Sequence, residues 1–314
     1  MDVSILIVTY NSVAHISECL RSIPEACDGV MSEVVVIDNA SQDGTPDVVA
    51  AEFPSVTLLR EPVNHGFAKA HNIAARRSIG RYILLLNPDG ALHRNAVANL
   101  VAFADEQPAH GVYGGATYSR GGSIDPKSGW DLPTPWSMFC FAVGLTVLFP
   151  HVRLCNPTSI ASWARTAPRQ VGAVSGCLLL CRRDVWLNLG GLDERYFLYG
   201  EDIDFGYRAR AAGYDPVVIP GACMTHLVGG SSPDSVRRTQ YVLAGRARFI
   251  NQRWGPGWRA VGLLLLQLGV AVRAVAELVG NRSGPGRWRS LWGVRHQWVC
   301  GHATVASAKS QSCG

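Results

Sequence analysis

The sequence predicts an α/β protein with a mostly parallel sheet covered by helices on both faces, followed by a basic helical region. Three observations carry that prediction. Four short apolar runs, at residues 3–9, 34–37, 56–59 and 82–86, fall within the first 90 residues and lack clean polar–apolar alternation, as strands covered on both faces should. Segments of helical spacing separate them, and strands alternating with helices wind into a parallel sheet. Residues 1–236 carry 17 basic and 23 acidic side chains, whereas 237–314 carry 12 basic and one acidic, so the chain changes character near Val236.

Taken in order, the first helix is expected over 13–22, with apolar residues at 13, 16, 20 and 23. The second, 45–53, follows Asp43-Gly44-Thr45, a capping sequence. Further helices are expected over 67–78 and 94–106. Residues 114–130, rich in Gly, Ser and Asp, read as a loop. The 13-residue apolar run 137–149 is too short for a simple membrane span and reads equally as core or as a contact for a lipid carrier. A strand is expected over 170–181 and a short helix over 183–189, leading to Gly190-Gly191-Leu192-Asp193. The segment 201–212 has helical spacing and ends at Gly213.

With 47% apolar and 17% charged residues over 314 positions, the chain is a core-forming protein, not a disordered or collagen-like one. Its nine cysteines form no Cys-x-x-Cys pair and no zinc-spaced Cys/His array, and Cys177 and Cys181 read as core. The odd count, and an N-terminus without a basic leader, are read as a reduced, cytoplasmic setting.

Each of the first four strands is followed by a polar cluster: Thr9-Tyr10-Asn11, Asp38-Asn39 through Thr45, Asn64-His65-Gly66-Phe67 and Asn87-Pro88-Asp89. Turn chemistry alone would place Asn, Asp and Gly at any one strand end. Four such clusters on one sheet edge instead describe a ligand pocket, because ligands bind outside the carboxyl ends of strands. Neither G-x-G-x-x-G nor G-x-x-x-x-G-K-[ST] occurs, so the dinucleotide and P-loop fingerprints are absent. Asp38 can accept hydrogen bonds from a base N–H or ribose hydroxyls. A carboxylate facing a diphosphate implies a bridging divalent cation, and Asp89 is the natural candidate.

The segments Asp38 to Thr45 (DNASQDGT), Asn64-x-Gly66-Phe67-Ala68-x-Ala70-x-Asn72, Asn87-Pro88-Asp89, Gly190-Gly191-Leu192-Asp193 and Glu201-Asp202-Ile203-Asp204 together resemble the ordered motifs of glycosyltransferase family 2, most nearly its bacterial rhamnosyltransferase-like branch. The resemblance covers roughly residues 1–250. It implies the GT-A fold, a Rossmann-like sheet over residues 1–236, with a nucleotide-sugar half (1–110) and an acceptor and catalytic half (111–236). It also implies inverting transfer of rhamnose or a hexose from a nucleotide diphosphate sugar to a hydroxyl. By that resemblance Thr9, Tyr10, Asn11 and Asp38 hold the nucleoside, and Asp43, Asn64 and Asn72 shape the ribose and phosphate side. Asn39, Gly66, Phe67, Asn87 and Pro88 complete the donor pocket. Asn87-Pro88-Asp89 stands where most relatives have Asp-x-Asp, so Mg²⁺ or Mn²⁺ would rest mainly on Asp89. His226, opening His226-x-x-Gly229-x-Ser231, would be the second ligand. Asp202 takes the role of general base, with Glu201 as runner-up; acids at a helix start also complement its dipole.

Residues 237–314 hold 11 Arg, one Lys and five of the nine Trp. The apolar stretch 260–272 is shorter than the roughly 20 residues of a span, and extension to 279 brings in Arg273 and Glu277, both costly at membrane depth. Trp and Arg at both flanks suit a helix lying on an anionic membrane surface; a span and an ordinary packing helix are the other readings. Nucleic-acid binding would leave the apolar run unexplained. The expected enzyme is peripheral on the inner face of a bacterial plasma membrane, with a lipid-linked or polysaccharide acceptor. A sugar-nucleotidyltransferase would want a basic Gly-rich loop where Thr9-Tyr10-Asn11-Ser12 stands, and a non-catalytic nucleotide-sugar-binding protein would have no need of Asp202.

Overall fold

The computed structural model describes residues 1–227, 235–280 and 286–301. Strand β1 (Val3–Thr9) is buried at every position, and its aliphatic, β-branched sequence suits an interior strand. It is followed by α1 (Ile16–Ala26), β2 (Ser32–Asp38), α2 (Thr45–Glu52), β3 (Thr57–Arg60), α3 (Phe67–Arg76) and β4 (Tyr82–Leu86). β2 and β4 flank β1 in parallel, and β3 lies outside β2. The chain therefore leaves β1 on one side and returns on the other, which opens a crevice at the carboxyl ends of the central strands. The register sets Thr9 opposite Asp38 and Ile7 opposite Leu86, so the polar clusters after these strands stand side by side.

The chain continues through β5 (Gly90–Leu92), α4 (Ala96–Glu106), β6 (Val112–Ser119), β7 (Ile124–Asp125), β8 (Gly129–Trp130), α5 (Pro135–Ala142) and α6 (Leu145–Leu148). Then come β9 (Arg169–Gln170), β10 (Ala173–Val174), β11 (Leu178–Arg182), α7 (Arg183–Leu189), α8 (Glu201–Ala211) and β12 (Val217–His226). The sheet order is β3-β2-β1-β4-β11-β6-β12-β5. β11 runs antiparallel between β4 and β6, and β12 runs parallel to β6. Hence β6 and β12 end at the same edge as β1, β2 and β4, and β11 begins there.

Two local expectations are corrected. Residues 112–119, within the segment expected to begin a loop, form an interior strand. Gly114 and Gly115 occur there because Val174 and Leu178 side chains occupy the space a Cβ would need. The single strand expected over 170–181 is three short ones, and β10 leaves the main sheet to pair with β8. On one face of the main sheet, Ile5, Ile7, Leu84, Leu86, Leu178 and Leu180 pack with Ile16, Leu20 and Ile23 of α1 and Leu100 of α4, each aliphatic side chain contributing about 1.5–3 kcal/mol of burial.

By packing, the chain forms two units. One comprises Met1–Trp130, Trp163–Glu194 and Asp202–Gly229; the other comprises Asp131–Ser162, Arg195–Glu201 and Gly230–Gly314. The second unit contains α5 and α6 with α9 (Ser235–Arg253), α10 (Pro256–Val279), α11 (Arg287–Gly293) and α12 (Arg295–Val299), around Met138, Phe141, Ala247, Leu266, Leu291 and Trp298.

Candidate active site

Asp38 closes β2 and is 2% exposed. Its Oδ1 accepts hydrogen bonds from Thr9 Oγ1 (2.8 Å) and Ser41 Oγ (2.6 Å), and its Oδ2 from the Ser41 N–H (2.9 Å). Ala40, at φ +61°, adopts the left-handed turn that folds Ser41 back, a conformation costing about 1–3 kcal/mol in a non-glycine residue. A carboxylate offers about four acceptor sites, so Asp38 keeps capacity for a base N–H or ribose hydroxyl. Tyr10 stands exposed beside it.

The other donor-side residues spend polar atoms on the loops themselves. Asn39 donates to the Gly66 carbonyl (3.1 Å) and accepts from the His65 N–H (3.3 Å), while Asn64 Oδ1 accepts from the Gly66 N–H (2.9 Å). Gly66, at φ +80° and ψ −176°, sits in a region only glycine visits freely. Asn11 Oδ1 accepts from the Gln42 N–H (2.9 Å). Partial burial works against the charge of Asp43, yet hydrogen bonds from Thr45 and the Val13 N–H hold its carboxyl below the usual range. Asn72 reaches across to the Gly-Gly-Leu-Asp loop, donating to the Leu192 carbonyl (2.8 Å) and Glu194 (3.1 Å) and accepting from the Leu192 N–H (3.0 Å). Asp43 and Asn72 thus brace the loops around them, and Asp38 keeps one acceptor position beyond its bonds to Thr9 and Ser41. The Phe67 ring lies against the Gly176 backbone, where an added Cβ would come within 3.0 Å of it.

A second group gathers at the ends of β4 and β12. Asp89 is half-buried, and its carbonyl accepts from the Leu227 N–H (2.8 Å), which ties the segment after β12 to the Asn87-Pro88-Asp89 turn. His226 Nδ1 meets Asp125 Oδ2 at 2.8 Å, with both side chains buried. Burial opposes protonation of His226, but Asp125, the Cys177 thiol and the charge of Asp89 together raise its pKa to about 10. For Asp125, burial is likewise outweighed by His226 and Lys127, whose Nζ is 3.6 Å away, and its carboxyl is held low. A carboxylate on one imidazole nitrogen fixes which nitrogen is left for other partners. No group of three or more His, Cys, Asp or Glu side chains arranged to hold a metal ion occurs among the described residues. Two side chains remain as candidate protein ligands of a divalent cation, Asp89 and His226, and His226 could ligate one only after releasing a proton, with phosphate oxygens and water as the other ligands.

Asp202 lies in the first turn of α8. Its Oδ1 accepts from the Ile203 N–H (2.8 Å) and its Oδ2 from the Trp130 indole N–H (3.3 Å). Burial nonetheless raises its pKa, against these bonds and one from the Gly176 backbone. Glu201 is buried and packs with the second unit. Asp204 is fully buried and pairs with Arg208 Nε (2.7 Å), whose guanidinium also bonds the Leu189 and Gly191 carbonyls (2.6 and 2.9 Å). The three acids of this turn thus differ, since Asp204 anchors the glycine loop. Gly176 and Cys177, in the turn just before β11, link the groups: Gly176 bonds Asp202, the Cys177 carbonyl accepts the Asn87 N–H (3.1 Å), and the Cys177 thiol meets His226.

The family model for glycosyl transferase family 2 matches residues 4–160. The chain belongs to glycosyl transferase family 2. Over 236 residues, 71% of this chain and 75% of its relative, it is 32% identical to the N-acetylglucosaminyl-diphospho-decaprenol L-rhamnosyltransferase of Mycobacterium tuberculosis. Its fold is similar to that of the Pyrobaculum calidifontis mannosyltransferase PcManGT in complex with GDP-Man and Mn²⁺, with TM-score 0.53 and 22% identity over 99% of this chain and 84% of the other. It is also similar to Staphylococcus aureus TarS 1–349 in complex with UDP-GlcNAc, with TM-score 0.54 and 17% identity over 95% and 82%. The protein is a glycosyltransferase with the GT-A fold.

Within this family 2 enzyme, the sequence reading passed over Asp125 and Gly176. Asp125 lies in the Gly/Ser/Asp-rich stretch and meets a partner 101 residues away, a pairing with no local signal. Gly229 and Ser231, which follow His226 in the sequence motif, lie outside the described residues.

Proposed function

We propose that this glycosyltransferase inverts the anomeric centre as it moves rhamnose or a hexose from a nucleotide diphosphate sugar to a hydroxyl of a lipid-linked or cell-envelope glycan. It works with Mg²⁺ or Mn²⁺ at the inner face of a bacterial plasma membrane. The observation that carries this reading is the placement of Asp202 and the Asp89–His226–Asp125 group against the consecutive residues Gly176 and Cys177. In this reading the base and the phosphate-side group share the sheet edge at which Asp38 closes β2.

In this reading Asp38, Thr9, Tyr10 and Asn11 take the nucleoside, with Asn39, Asp43, Asn64, Gly66, Phe67, Asn72, Asn87 and Pro88 shaping the pocket. Asp202 accepts the proton of the acceptor hydroxyl as its oxygen bonds to the anomeric carbon. The anomeric bond to the diphosphate breaks on the opposite face, and its electron pair departs with the nucleoside diphosphate. The raised pKa of Asp202 brings it nearer the operating pH of a general base. Asp89 and His226 would hold the cation, and Asp125 orients His226. When bound, the cation offsets charge on the departing diphosphate. The L-rhamnosyltransferase named for a decaprenol-linked substrate supports a polyprenyl diphosphate-sugar acceptor here.

The test is a panel of radiolabelled thymidine, uridine and guanosine diphosphate sugars with a short polyprenyl diphosphate-N-acetylglucosamine acceptor, with and without Mn²⁺. Cation-dependent transfer with an inverted product linkage is expected. Retained anomeric configuration, or turnover indifferent to chelator, would overturn the mechanism.

A further inference from the structure

The second unit carries a bare apolar surface drawn from two segments far apart in sequence. Along α10, Val261, Leu264, Leu268, Val272, Val275 and Val279 recur at three- and four-residue steps and are all exposed, Leu264 by 65% and Val279 by 82%. The opposite face is packed into protein, with Gly262, Leu266, Gly269, Val270 and Ala274 buried. On the other segment, Phe139, Val143, Val147 and Leu148 of α5, α6 and their connection are exposed too. The segments join at Gly269, where Phe141 and Ala142 take up the space of the missing side chain. Leu268 and Val272 flank that crossing on α10, and Phe139 and Val143 flank it on α5.

Beyond the exposed Arg259 in its first turn, the charged residues of α10 bond protein atoms. Arg273 donates to the Phe141 and Gly269 carbonyls, 2.8 Å each, and its guanidinium lies 4.2 Å from the Phe141 ring centre. Glu277, the one acid in 237–314, accepts from the Trp288 and Arg289 N–H groups at the start of α11 (2.9 and 3.1 Å). Exposed Arg153, Arg259, Arg287 and Arg295 belong to the same unit. At 24 residues, with a mean hydropathy of 1.8 over its most apolar 18, α10 is long enough to cross a bilayer at about 1.5 Å per residue. A crossing would draw its packed partners and their arginines into hydrocarbon. One bare face and one protein face suit a helix lying in the interface plane.

We infer that the second unit is a monotopic docking surface: α10 lies in the plane of an anionic bilayer with its bare stripe immersed, the 139–148 segment enters beside it, and the surrounding arginines meet lipid phosphates. The inference rests on the reading of an enzyme that works on a membrane-borne acceptor, and it supplies the surface and the orientation.

The test uses the full chain with sealed vesicles of phosphatidylcholine alone or mixed with phosphatidylglycerol. Binding is expected to the anionic vesicles, with salt releasing only part of the protein. L264E/L268E and, independently, F139E/L148E should each weaken partitioning by roughly tenfold or more. R259E/R287E should remove the preference for anionic lipid. All three variants should keep donor hydrolysis in lipid-free solution, which also reports folding. Peptide tags at the two termini should both be cleaved by protease added outside the vesicles. Protection of one tag would mean a span; variants that bind like the parent, or that abolish only self-association in solution, would also overturn the inference. Loss of hydrolysis in these variants with vesicle binding intact would overturn it as well. Failure of the whole donor panel with vesicle binding and its variant pattern intact would count against the proposed function and leave the docking surface standing.

Discussion

The two packing units use apolar side chains in opposite ways. The first hides them in a sheet whose β1 and β4 are buried at every residue and presents polar clusters at one edge. The second turns charge inward, with Arg273 and Glu277 bonded to its own backbone, and turns Leu and Val outward along α10. The difference teaches that the same residue types are read correctly only once their surroundings are known. An interior Leu in the first unit is cohesion; an exterior Leu in the second is a contact held for a partner.

Perturbations should separate the two, beginning with the largest effect. Asp202→Asn should lower kcat by about 10²–10⁴-fold while calorimetry shows donor binding intact; near-normal turnover would shift the role of base to Glu201. Because burial raises the Asp202 pKa, the ionised base is lost at a higher pH than for an ordinary carboxylate. The acid limb of the kcat profile should therefore lie above about pH 4 and vanish in Asp202→Asn. Asp125→Asn should weaken Mn²⁺-dependent nucleotide binding about 10–100-fold while leaving metal-free nucleotide binding near the parent's, a split that a purely structural role would not produce. Asn72→Ala leaves the Leu192 N–H and carbonyl without their partner and should cost about 1–3 kcal/mol in urea titrations. Leu264→Gln, on the outward face of α10, should change stability by no more than about 0.5 kcal/mol. A large loss there would mean that α10 is held by protein on both faces.

The sequence disclosed the parts of this molecule that depend on neighbours in the chain. Apolar runs, capping sequences and strand-end clusters located β1 to β4 and the crevice, and the charge change near Val236 flagged the basic segment. What escaped depends on distant neighbours. Gly114 and Gly115 look like loop residues until Val174 and Leu178 are seen filling their space. Asp125 is one more acid in a polar stretch until His226 arrives 101 residues later. Asp43 and Asn72 carry the right chemistry for a donor pocket, but their hydrogen bonds go to the loops around them. The apolar run 137–149 is only partly core: Met138 and Phe141 are buried, while Phe139 and Leu148 are exposed.

The turn before β11 has a consequence for engineering. Asp202 and His226 both bond the consecutive turn residues Gly176 and Cys177, which lead into a strand held between β4 and β6, so their separation follows one peptide unit of that turn. Donor loops after β2 and β3 can be exchanged for those of a relative with the base left in register. An insertion between Ser175 and Leu178 would uncouple proton removal from diphosphate departure, however well the donor still bound.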